Sequence, residues 1–296
     1  MASLKEVKNR INSVVSTQQI TKAMKMVAAA KLRKSQDRIT QLRPYAQKLG
    51  SILQNLSAAQ ADADTDTWYS AVRDSGRVLV VAVSSDRGLC GSFNSNIFKG
   101  VVRLIEENYA GQMRAGNVSF LPMGRKAVEF FSKRSGAKVI SQYGNIFSHL
   151  DFEHVSEAGD YIIDAFRAAK YDKVILVYNE FKNVATQIVR MEQLLPILPP
   201  AAESSKTNQI DYIYQPEQEE ILKGLIPKSI KIQLFKALLD SNAAENGARM
   251  TAMDKATENA GELLKELRLT YNRTRQAAIT KEIIEIVGGA EALKSS

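Results

Sequence analysis

The segment DRGLCGSFN at 86–94 places the single cysteine of the chain, Cys90, among Gly88 and Gly91 directly after an apolar run. A thiol in such a turn is of the right type for a nucleophile, and glycines there would let backbone amides close on a phosphate. The spacing supports neither chemistry. The segment lacks both the GxxxxGK and the GxGxxG pattern, and neither histidine, His149 or His154, lies in a motif that would activate Cys90. The glycines are therefore read as permitting a tight strand-to-helix turn. The two histidines have no nearby cysteine to complete a metal cage, and one cysteine cannot form an intrachain disulfide. No catalytic residue, cofactor or metal is expected.

Charge is the second chemical feature. Of the formal net charge of +8, residues 1–57 carry eleven Lys and Arg against only Glu6 and Asp37, so the remainder is close to neutral. A basic stripe of this density suits an acidic partner, whether nucleic acid, anionic lipid or an acidic protein surface.

The elements that must carry these residues can be read from periodicity. Residues 1–57 show an apolar three-four spacing through Leu4, Val7, Ile11 and Val14, then Ala28, Leu32, Ile39 and Leu42. Between those runs the same frame holds Gln18, Thr21 and Lys25, while Ile20, Met24 and Val27 fall on a neighbouring face, so the seam rotates or breaks there. A linker is expected at 58–76. An α/β domain is expected at 77–215, with buried-type strands at 77–83, 117–124 and 173–181 and helices at about 94–113, 124–135 and 156–169. Residues 216–296 return to a helical pattern, roughly 110 Å long at 1.5 Å per residue. Its seam reads Ile232, Phe235, Leu239, a polar interruption at Asn242, Asn246 and Arg249, then Met253, Ala256, Ala260, Leu263 and Leu267. Pro227 is expected to kink its first turns.

Two long helices, each apolar along one stripe, can bury those stripes against each other. The expected fold is α+β: a long antiparallel two-helix coiled coil from the N- and C-terminal helices, with an inserted Rossmann-like α/β domain. The second helix is the longer, so its end should project alone. That end, with Ile283, Ile284, Ile286 and Val287, is apolar on more than one face, and something should surround it. The sequence shows no run of roughly 18 apolar residues and no signal or transit pattern, which places the expected protein in the cytosol.

Four blocks, in order, resemble the gamma subunits of rotary (F-type) ATP synthases of the bacterial type: QITKAMKMVAAAKLRKSQ at 19–36, SSDRGLCGSFN at 84–94, ARMTAMDKATENA at 248–260 and ITKEIIEIVGGA at 279–290. The likeness spans nearly the whole chain. It implies a non-catalytic central-stalk rotor subunit that transmits torque between a membrane c-ring and a catalytic ring of alpha and beta subunits, with epsilon as a further partner. It also implies a peripheral position on the cytoplasmic face of a bacterial inner membrane. By the resemblance, Met24, Arg249, Arg275, Gln276, Thr280 and Glu282 match contacts with the catalytic ring, and Ile283, Ile284, Ile286 and Val287 form a bearing tip. The paired cysteines of a chloroplast-type redox insert are missing, so thiol control is not expected.

Two rival readings stand beside this one. The basic stripe alone fits a nucleic-acid-binding coiled coil, but no base-reading basic region precedes a heptad zipper. The α/β region alone would suit an enzyme, but it carries no acid-base constellation.

Overall fold

The computed structural model describes residues 3–59, 68–71, 73, 76–133, 137–197 and 218–294. The chain gathers into two compact units, one of Met1–Ala28 with Met250–Ser296, the other Ala29–Arg249. Helix α1 (Leu4–Ala59) and helix α6 (Gln218–Lys294) each contribute to both. Both helices run on through an internal proline, Pro44 in α1 and Pro227 in α6. Of the expected linker, residues 60–67, 72, 74 and 75 lie outside the described residues, as does the stretch 198–217 at the end of the expected α/β domain. Trp68 and Tyr69 pack against the sheet core, and the Ile197 amide donates to the Tyr69 carbonyl at 2.8 Å.

The unit Ala29–Arg249 is built on a five-stranded sheet: β1 (Val78–Val83), β2 (Val118–Met123), β3 (Lys138–Val139), β4 (Lys173–Phe181) and β5 (Gln187–Leu195), in the order β3-β2-β1-β4-β5. The first four run parallel and β5 closes one edge antiparallel to β4. Every residue of β1 and β2 is buried, as continuous apolar strands covered on both faces must be. One face is covered by α2 (Phe93–Asn108) and α4 (Arg125–Ser132) through Ile97, Val101, Ile105, Ala127 and Phe131. A short α3 (Ala110–Arg114) follows α2. On the other face lie α5 (Phe152–Arg167), through Val155, Ile162 and Phe166, and α6, through Ile226, Ile230, Leu234 and Leu238.

Strands β3 and β5 are additions to the sequence expectation. The first is two residues long, and β5 interleaves Gln187, Arg190, Glu192 and Gln193 with its apolar residues, because only part of it is covered. His149 ends a 3₁₀ turn and His154 lies in the first turn of α5, where the Asp151 side chain caps the helix by accepting from the His154 amide at 2.9 Å. The helical segments of this unit also meet each other: Leu32 and Ile39 of α1 pack with Leu239 and Ala243 of α6, and Ser35 Oγ bonds Asn242 Oδ1 at 3.2 Å.

In the other unit, α1 and α6 pair antiparallel. Lys25 meets Asp254 at 2.5 Å, Thr257 donates to Thr21 Oγ1 at 2.8 Å, and Gln18 donates to the Thr257 carbonyl at 3.4 Å. The polar residues that interrupt the α1 seam thus face polar residues of α6. Buried contacts flank them, Val7 on α1 and Met253, Ala260, Leu264 and Leu267 on α6. Leu264 is the buried member of the Leu263–Leu264 pair, one position later than the spacing places it.

Candidate functional site

In a doubly wound sheet, ligands bind beyond the carboxyl ends of the strands, where the chain order reverses. Here the reversal lies between β1 and β4, since the chain leaves β1 for β2 on one side and returns to β4 on the other. That crevice is filled by the protein itself. Ala244 of α6 is fully buried against Cys90, Phe93 and Phe181, with Ala248 beside them. A side chain at Gly247 would come within 3.3 Å of the Phe181 ring, so a small-residue run lets the helix seat closely.

The loop after β1 occupies the second place where a ligand could bind. The free amides at the start of α4 would ordinarily suit an anion. Instead the Arg125 amide donates to the Asp86 carboxylate at 3.2 Å, the Lys126 amide to the Ser85 carbonyl at 3.1 Å and the Ala127 amide to Ser84 Oγ at 2.8 Å. Gly124, at φ +109°, makes the turn possible, and a Cβ there would collide with the Ser84 carbonyl. Ser84-Ser85-Asp86 is therefore a cap supplied from about forty residues upstream, which no local capping pattern in the sequence signals.

Cys90 belongs to the same knot. It is 1% exposed and receives Asn94 Nδ2 at 3.3 Å, and Asn94 also donates to Ser85 Oγ at 2.7 Å. Burial pushes its thiol pKa up, outweighing the lowering by Ser85 and Arg249. A buried, protonated thiol is a packing residue, not a nucleophile.

Arg249 fastens this loop to α6. Its guanidinium pairs with Glu245 one turn earlier and donates to the Arg87 and Gly88 carbonyls at 3.1 Å each. Burial raises the Glu245 carboxyl pKa against the opposing pull of Arg249. The residue that the resemblance matches to a catalytic-ring contact also engages the chain's own groups, and its side chain is 14% exposed. Nothing in the sequence assigns a role to Glu245 or to the Ser84 side chain. Glu245 and Arg249 are spaced i,i+4 on one helix face, the one available signal, but that spacing alone is common on solvated helices.

Asp240 lies in the same stretch of α6. Burial pushes its carboxyl up to about 6, with Lys236 and Arg43 opposing and Glu180 and Glu192 adding to the rise. On the neighbouring β4 and β5, Tyr178 donates to Glu192 at 2.8 Å, and burial raises that phenol well above its usual range.

The remaining sequence-read residues lie in the other unit. Met24 is half-buried, next to exposed Ile20, Met26 and Val27, so the α1 face that departs from the seam is an outward apolar patch. From Arg275 to Ala290 every residue of α6 is exposed. The antiparallel register explains the boundary: extending the pairs Lys25–Asp254 and Thr21–Thr257 brings the first turn of α1 level with about Thr274, after which no described helix of this unit lies beside α6. Arg275, Gln276, Thr280 and Glu282 therefore lie on one overhanging segment with Ile283, Ile284, Ile286 and Val287, which are 54–71% exposed. Thr280 Oγ1 donates back to the Gln276 carbonyl at 2.9 Å. Met24 and Arg249 are not on this segment.

Residues 3–293 match the family model described as ATP synthase. The chain is 57% identical to an ATP synthase gamma chain of Cytophaga hutchinsonii, with all of both chains covered. It is 53% identical to one of Flavobacterium johnsoniae over 99% of each chain. Among solved structures it resembles a chain of the central stalk and c-ring of the Tetrahymena thermophila mitochondrial ATP synthase, with 27% identity and a TM-score of 0.58, covering 80% of this chain and 99% of that one. A chain from the Euglena gracilis mitochondrial ATP synthase shares the fold at 21% identity and a TM-score of 0.67, covering 99% of this chain and 95% of that one.

Proposed function

Since the chain belongs to the ATP synthase gamma-chain family, we propose that it is the central-stalk rotor subunit of such a complex, turning with a membrane c-ring inside a ring of alpha and beta subunits. The observation that carries this reading is the overhang of α6, a helix end whose large aliphatic side chains stand in solvent with no partner among the described residues of their unit. Exposed apolar area of this kind marks a surface that another chain covers. A bearing formed by a surrounding ring covers such a helix end on all sides.

Torque needs two further properties. The shaft must resist twisting, which the paired stretches of α1 and α6 provide, and it must offer different groups at different angles. Arg275, Gln276, Thr280 and Glu282 give the overhang polar contacts, Met24 with Ile20 and Val27 gives α1 an apolar one, and Lys5, Lys8, Arg10 and Lys22 of α1 face solvent as a charge complement to acidic loops. A rotor angle that favours one state of a neighbouring catalytic subunit over another shifts its population in proportion to that difference. Charge-assisted bonds of about 1.5–3 kcal/mol are enough to do so without locking the rotor. Arg249 contributes here by holding the loop 84–94 on α6. The chain itself is read as non-catalytic, because its switch-point crevice and its α4 amides are occupied by its own atoms. Epsilon is a further expected partner.

Among the described residues no helix is long and apolar enough to cross a membrane. We place the subunit peripherally, through the complex, on the cytoplasmic face of a bacterial inner membrane. Co-expression with the alpha and beta subunits tests the assignment: the chain should copurify at one copy per ring and, alone, hydrolyse no ATP. Arg275→Glu should lower coupled ATP synthesis about tenfold with copurification intact. Unchanged synthesis would remove Arg275 from the ring contacts. Salt-dependent DNA binding that persists in the assembled ring would instead favour the nucleic-acid reading of the basic stripe.

A further inference from the structure

Beyond the crevice that α6 fills, the unit Ala29–Arg249 holds an open cavity of about 660 Å³. It lies at the carboxyl edge of the sheet, for its walls include Asp86 and Arg87 after β1 and Arg125 after β2. Its size falls in the range of small-molecule sites, and it lies on the carboxyl side of the sheet, outside the β1–β4 crevice that α6 fills. Six basic side chains line it, Lys31, Lys34 and Arg38 from α1 with Arg87, Arg125 and Arg249, against three carboxylates.

The carboxylates are committed elsewhere. Asp86 and Asp151 accept helix-start amides and Glu245 pairs with Arg249. Two of the arginines are aimed by protein groups while keeping other donors free: Arg38 donates to the Leu150 carbonyl at 3.2 Å and Arg125 Nε to Asn145 Oδ1 at 2.8 Å. The side chains of Lys34 and Arg87 line the cavity and make no hydrogen bond or ion pair among the described residues.

We propose that this cavity binds a small, multiply charged oxyanion of the phosphate or pyrophosphate class. Cations gathered on a concave wall raise the local concentration of such an ion, and anchored guanidinium forks match its tetrahedral oxygens. The α4 amides are already satisfied, so recognition rests on side chains alone.

Equilibrium dialysis of the full chain against labelled pyrophosphate, at fixed ionic strength, tests this. Expected is saturable binding of one ion per chain, weakened about tenfold or more by Lys34→Gln with Arg87→Gln. Lys99→Gln, an exposed change on α2 away from the cavity, should leave it unaltered. Thermal melts of all variants should coincide, since each altered side chain is exposed. Binding that does not saturate, or that falls equally with Lys99→Gln, or that survives the double change, would overturn the proposal in favour of diffuse surface charge. Tighter binding of a polyglutamate peptide than of pyrophosphate would overturn it in favour of a protein partner.

Discussion

One helix, α6, shows two opposite environments. Between Ile226 and Asn246 it presses into a sheet and α1, and Leu234, Leu238, Ala243 and Ala244 have no exposure at all. Between Arg275 and Ala290 every residue is exposed among the described residues, although Ile283, Ile284 and Ile286 are as apolar as anything in the first stretch. Hydropathy does not separate the two; the supply of neighbours does. A helical stripe reports that it can be buried, and the rest of the fold reports whether it is.

Stability measurements can break or sharpen that contrast. The largest effect should come from Leu238→Ala, which opens a cavity in a site of no exposure and should cost about 3–4 kcal/mol in denaturant unfolding. The matched change Ile286→Ala should stay within about 0.5 kcal/mol in the chain alone and appear only as weaker assembly with the ring. If both cost the same, the overhang is packed in the free chain and the contrast fails.

Arg249→Met comes next. It strands the Glu245 carboxylate in a buried position and removes the donors to the Arg87 and Gly88 carbonyls, at a cost of about 3 kcal/mol. Adding Glu245→Gln should recover part of the loss, which a double-mutant cycle would resolve. Strict additivity would mean the pair is incidental.

The smallest of the three is a pH effect. The Asp240 carboxyl is raised to about 6 in the folded chain, above its ordinary value, so the folded state holds the proton more tightly. Its contribution to stability is present below about pH 4 and lost as pH rises through about 6. Asp240→Asn should therefore stabilise the chain by roughly 2 kcal/mol at pH 8 and little at pH 4, read from unfolding curves at the two values. An equal gain at both would place the ionised carboxylate in a satisfied site.

Much of this was legible in the residues. The three-four spacing marks both long helices, the apolar runs mark β1, β2 and β4, and the polar break at Gln18, Thr21 and Lys25 falls where the structure sets polar against polar. Four motif blocks carried the family. Less could be read at β5, whose polar residues hide its period, and at Ser84-Ser85-Asp86, whose role is to cap a helix some forty residues away.

The sequence alone therefore determined the parts: two long helices, their polar interruptions, a basic N-terminal stripe, an apolar end and the absence of a nucleotide or catalytic motif. Those depend on neighbours within a few turns or on residue type, which spacing records. The tertiary structure alone decided that Arg249 clasps the β1 loop, that α6 fills the switch-point crevice, that the α4 amides are taken, and that unbroken exposure begins at Arg275. Each of these joins groups distant along the chain, or depends on where a partner helix ends, and no local pattern encodes such a meeting.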